Sequence, residues 1–174
     1  MGYFDTGLYN VQSTLFAWMY SQLLVFKPSL ISTVQFVIEW PEEKIVTPLW
    51  SMIILGVDSG PGFQGSHVGS GQHGDMRFGI AQVDCWVSRD PYTNPSWVAQ
   101  LAQMQDTVTK AVHTLQATGS GLIIKDFYTD AQAPSNTNYR LTITGVERRQ
   151  PPVDPNPSIE RKRILLTFQW VERI

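Results

Sequence analysis

Through "LYNVQSTLFAWMYSQLLVF", apolar side chains at Leu8, Val11, Leu15, Met19 and Leu23 recur at near-helical spacing, which predicts a helix over 8–26. Lys27-Pro28 ends it. Phe16, Trp18 and Tyr20 fall around the rest of the circumference, so the helix is expected to be covered on more than one side. The period then changes. In "STVQFVIEW", Val34, Phe36, Ile38 and Trp40 alternate with Gln35 and Glu39, the pattern of a half-buried strand. "PEEK" reads as a turn, and Lys44 to Leu55 reads as the partner strand of a β-hairpin. Pro48 removes one ladder donor, which favours either an edge position or a strand that starts after it.

Eight of the 13 glycines lie between Gly56 and Gly79 and predict a long loop, followed by a third extended segment, "MRFGIAQVDCWV". Its alternation breaks at Gly79 to Asp84, as expected of a bulge or of a strand covered on both sides. Asn94 as N-cap and Pro95 at the first helical position then open a second helix. Its stripe is Trp97, Leu101, Met104, Val108, Ala111, Val112 and Leu115, and Gly119 is its stop. "GLIIKDFY" is a short strand; "NYRLTITGVERR" and "RKRILLTFQWVERI" alternate as two long antiparallel partners joined by the Pro-rich "QPPVDPNPS". The fold class is therefore α+β, a mostly antiparallel β-sheet with helices packed on one face and a long Gly-rich loop, expected as one domain over 1–174.

Charge and composition narrow the function. Charged residues make up only 16% of the chain, below the ~25% of an ordinary domain, and six Trp, six Tyr and eight Phe are available for contact surfaces. The net charge of −2 lacks the footprint of a nucleic-acid binder. Six of the 13 bases do gather in the last 27 residues, at Arg148, Arg149, Arg161, Lys162, Arg163 and Arg173, so a phosphate track there is the third reading to weigh. The single cysteine, Cys85, gives no disulfide framework and no metal-ligand pair. The N-terminal "MGYFDTG" does not read as a signal peptide, and the longest apolar run is too short to span a bilayer, so a soluble protein is expected.

"GSGQHG" at 69–74 fits a dinucleotide-binding glycine turn, yet Asp75-Met76-Arg77-Phe78 continues as a strand where that chemistry needs a helix N-terminus. His67, His73 and Asp75 would form a His/His/carboxylate metal set only if the loop folded back on itself. A Cys85–His113 nucleophile pair lacks an oxyanion hole and a third orienting group, and the adjacent Glu42-Glu43 do not face one another across a substrate. No cofactor, no metal and no enzymatic activity are expected.

The order of elements resembles that of tail terminator (tail completion, or neck) proteins of long-tailed bacteriophages. The residues that carry the resemblance are the apolar helix at Leu8 to Phe26, "TPLWSMIILG" at Thr47 to Gly56, the helix opened by "TNPSWVAQLAQM" and the terminal strand "RILLTFQWVE". It covers most of the chain. What the resemblance implies is a virion protein, assembled in the host cytoplasm, whose homo-oligomeric ring, usually a hexamer, caps the tail tube. Its partners would be the tail tube protein and the head-side connector, with DNA passing through the lumen unread and no membrane involved. Assembly contacts are then expected at His67, His73 and Asp75 in the Gly-rich loop and at Arg148, Arg149, Arg161 and Arg163. The long Gly-rich and Pro-rich segments depart from the compact members of that family. They keep open a different neck component, such as a head–tail joining protein, and, further off, a small metal-dependent hydrolase.

Overall fold

The computed structural model describes residues 7–39, 46–59, 66–67, 73–128, 131–132, 140–152 and 157–173. Helix α1 spans Leu8–Val25 and α2 spans Trp97–Thr118. Nine strands follow in chain order: β1 (Phe36–Ile38), β2 (Leu49–Ser59), β3 (Ser66–His67), β4 (His73–Ser88), β5 (Leu122–Ile123), β6 (Lys125–Asp126), β7 (Ala131–Gln132), β8 (Arg140–Arg149) and β9 (Ile159–Arg173). The main sheet runs β1-β2-β4-β9-β8-β5 with β3 on β4, and β6 and β7 pair separately. All pairs are antiparallel except β1 with β2, so the fold is α+β with both helices on one side of the sheet.

The β1–β2 pair corrects the expected hairpin. Phe36 aligns with Trp50 and Ile38 with Met52, both strands running the same way. A parallel neighbour requires the chain to travel back before pairing, and residues 39–48 supply that return. Glu39, at φ 72°, turns the backbone out of β1 into the left-handed region. Trp40 and the "PEEK" turn lie outside the described residues. Strand β2 does start directly after Pro48, but between β1 and β4, not at an edge.

Strand pairing also reaches further into the glycine-rich region than its composition predicts. His67 belongs to β3, and His73 and Asp75 belong to β4. The bulge anticipated in the third strand sits in β2 between Ile54 and Gly56, while β4 runs unbroken along β9 from Gly74 to Ser88. The reading of β4 as covered on both sides holds, since every residue from Ala81 to Val87 is buried. Beside it, Gly79 has no Cβ and the ring of Phe168 lies against its backbone.

Helix α2 starts two residues later than predicted, with Ser96 and not Asn94 at the N-cap position. Asn94 is otherwise engaged: its Nδ2 donates to the Ser88 carbonyl at 2.9 Å and to Gln100 Oε1 at 2.8 Å. Gly119 closes the helix as expected, left-handed at φ 68°. Leu101, Met104, Val108, Ala111 and Val112 are buried against Ala81, Val83, Cys85 and Val87 of β4, Ile164, Leu166, Phe168 and Trp170 of β9, and Leu141 and Ile143 of β8. From α1, Val11, Leu15, Met19 and Leu23 join this core, whereas Leu8 is exposed.

A polar clasp ties α1 to the strand region after α2. The fully buried Asn10 accepts from the Phe127 N–H at 2.9 Å and donates to Asp126 Oδ1 at 3.3 Å; Thr14 Oγ1 accepts from the Lys125 N–H at 3.0 Å. One face of α1 thus packs on α2 and the shared core and another on this segment, as a sequence apolar on more than one side requires. Among the described residues no helix is long and apolar enough to cross a membrane.

Candidate functional site: the polar row on the outer sheet face

Side chains alternate across a strand, so the positions between the core residues of β2, β4 and β9 face away from the helices. There the register sets Ser51, Asp84, Arg163 and Arg149 in one line across four strands, with Leu49, Trp86 and Arg161 in the line beside it. Asp84 is the centre. Its carboxylate is only 1% exposed, and Arg163 grips it in a fork, Nε to Oδ1 at 3.0 Å and Nη2 to Oδ2 at 3.3 Å. Gln82 Nε2 donates to Oδ2 at 2.8 Å, and Arg161 Nη1 reaches the same oxygen at 3.5 Å. A buried carboxylate held by two guanidiniums and an amide is fully compensated, which a buried charge requires.

Aromatic packing seals the cluster. The Arg161 guanidinium lies 4.7 Å from the Trp86 ring centroid, and Trp86 Nε1 donates to Ser51 Oγ at 2.8 Å. Arg161 Nη2 also donates to the Pro152 carbonyl at 3.4 Å, which holds that residue against this face. Arg149 and Arg163, like charges directly opposite one another, would repel. Glu147 answers this by accepting from Arg149 Nε at 2.9 Å and Nη2 at 3.1 Å, and it raises the Arg149 guanidinium further above its ordinary value. The acids Asp84 and Glu147 are thus interleaved with the three arginines of the face, a pattern that ties the strands together.

The residues singled out in the sequence separate here. Arg149, Arg161 and Arg163 share the outer face, but Arg148 lies on the helix side and donates to Asp106 Oδ1 at 2.6 Å. His67 pairs with His73 in the β3–β4 register, and Asp75 aligns with Glu172 of β9. Among the described residues no group of three His, Cys, Asp or Glu side chains gathers to hold a metal. Residues 60–65 and 68–72 of the Gly-rich stretch, and Glu42-Glu43, lie outside the described residues. Cys85 and His113 are not a pair: Cys85 points into the core, while His113 is exposed in a groove with Asp106, Lys110 and Arg148. Burial, and secondarily the Asp84 charge, push the Cys85 thiol far above its ordinary value.

Sequence reasoning missed Ser51, Gln82, Asp84 and Trp86. A signal existed in "QVDCWV", where Gln82 and Asp84 alternate with Val83 and Cys85, and in "RKR", where Arg161 and Arg163 alternate with Lys162. What the sequence lacks is the register that sets Asp84 against Arg163. Beyond the charged row the same face turns apolar, with Phe78 and Ile80 exposed and Ile53 and Leu165 half-buried. Past the Ser88 end of β4, Tyr92 is exposed, and Val98 is exposed in a groove it lines with Trp97, Ala102, Glu160 and Lys162.

Compared with protein-family models and with curated proteins, the chain matches none.

Proposed function

We propose that this chain is a virion structural protein, a ring-forming terminator at the head-proximal end of a phage tail tube, which ends tube growth and docks to the head-side connector. The observation that carries the reading is the pair of separated apolar surfaces along β4: Phe78 and Ile80 at its middle on the outer face, Tyr92 and Val98 in the segment and helix that follow Ser88. Ile80 and Ser88 are eight residues apart on one strand, about 27 Å at a strand's rise. A ring subunit needs two different patches that meet head to tail, and a separation of this kind lets them serve two neighbours at once. The wired outer face supports the same reading, because a sheet cross-linked by Asp84, Arg161 and Arg163 holds such patches in fixed relation.

The test is capping. Purified protein is added to polymerising tail tube protein and tube lengths and ends are followed by electron microscopy, with particle mass measured in parallel. The expected result is short tubes carrying a ring at one end, and loss of both ring and capping in an Ile80→Lys variant that folds normally. Tubes that grow unchanged in the presence of the wild-type chain would overturn the reading.

A further inference from the structure

Among the described residues strand β1 ends the sheet, with no strand paired on its outer edge. The parallel ladder uses the odd positions: Trp50 N–H donates to the Gln35 carbonyl at 2.9 Å and Glu39 N–H donates to the Met52 carbonyl at 2.7 Å. In a parallel pair this leaves the N–H and C=O groups of Phe36 and Ile38 pointing away from β2. Natural sheets guard such edges with charge, proline or a bulge. Here the edge strand reads Phe36-Val37-Ile38, with Phe36 and Val37 partly buried and Ile38 half exposed. Alongside lies a groove of about 860 Å³ between β1 and α1, lined by Ser13, Phe16, Tyr20, Val34, Phe36 and Phe127 among others. None of its described lining residues carries a charge, so it suits an equally uncharged occupant.

We propose that this edge pairs with β1 of a second copy of the chain about a two-fold axis at Val37. The hydrogen-bond pattern is self-complementary. With β1 antiparallel to its symmetry mate, Phe36 falls opposite the partner copy's Ile38, and the outward N–H and C=O groups of these residues exchange four hydrogen bonds. Val37 then meets its own copy as a non-hydrogen-bonded pair, the closer kind, with Cα atoms about 4.5 Å apart. The edge carries no side-chain charge to repel its mate, and the two sheets become one. This contact is separate from the patches of the ring reading and does not rest on it; in a closed ring, a two-fold on each subunit joins rings in pairs.

The spacing at Val37 suits a disulfide, which tolerates Cα separations of about 4.4–6.8 Å. Because Cys85 is buried, a Val37→Cys variant carries one accessible thiol. Under mild oxidation it is expected to form a disulfide-linked dimer at least about tenfold faster than Gln35→Cys, because pairing holds the two thiols at high effective concentration. The control thiols lie on the same strand face but about 14 Å apart across the axis. Adding Ile38→Lys, an exposed position whose change leaves the β1–β2 ladder intact, should abolish the difference and halve the sedimenting mass of the unmodified chain. Equal cross-linking rates at 37 and 35, or a wild-type chain that sediments as a monomer at every concentration, would overturn the inference. A chain that dimerises through Val37 but never caps a tube keeps this inference and removes the ring reading. A capping ring whose Val37→Cys variant does not cross-link does the reverse.

Discussion

Arg163 holds Asp84 through both arms of its guanidinium, at 3.0 and 3.3 Å, across the β4–β9 ladder, and the pair sits on the sheet face that neither helix covers. Removing the carboxylate strands Arg161 and Arg163, which are 10% and 18% exposed, in a poorly hydrated place. Asp84→Ala is expected to cost about 3–5 kcal/mol, and Arg149→Gln far less, because its ion pair with Glu147 is exposed. Urea unfolding of the two variants checks this. Equal small losses would mean that the buried cluster contributes little.

The contact between Gly79 and Phe168 makes a second prediction. A Cβ at position 79 would lie 2.7 and 2.8 Å from Phe168 Cε2 and Cε1, so Gly79→Ala should destabilise the fold by about 1–3 kcal/mol. Phe168→Leu in the same chain should recover part of that loss. A double-mutant cycle in urea measures the coupling, expected at about 0.5 kcal/mol or more, and simple additivity would contradict the packing account.

Cys85 gives a pH dependence with a definite sign. Its folded thiol is held protonated far above the ordinary 9.0, so above that pH the unfolded chain loses a proton that the folded chain keeps. Its contribution to stability is complete below pH 9.0 and declines as pH rises, by at most about 1.4 kcal/mol per pH unit. Between pH 9 and 11 the stability of Cys85→Ala should fall less steeply than that of the wild type. The same burial predicts that a thiol reagent labels Cys85 only as fast as the core opens.

The Asn10 clasp predicts a local effect. Asn10→Ala removes the acceptor for the Phe127 N–H and a donor to the buried Asp126, at a cost of about 1–3 kcal/mol. Hydrogen exchange should quicken at Lys125 and Phe127 before it quickens in β4 or β9. Uniform acceleration through the whole sheet would place the clasp in the global core instead.

Periodicity in the sequence determined the two helices, the terminal strand pair and most of the core: Val11, Leu15, Met19 and Leu23 on α1, the stripe from Leu101 to Val112 on α2, and Ile164 to Trp170 on β9 are buried as their spacing requires. These signals are local, because a repeat of 3.6 or 2 residues marks which side of an element must leave water. Tertiary structure decided what depends on distant partners. The direction of β1 beside β2 and the pairing of Asp84 with arginines 77 and 79 residues away are set by register across strands. The pattern of one strand fixes its faces but not its neighbour, and a buried charge is legible in sequence only once the partner that neutralises it is known.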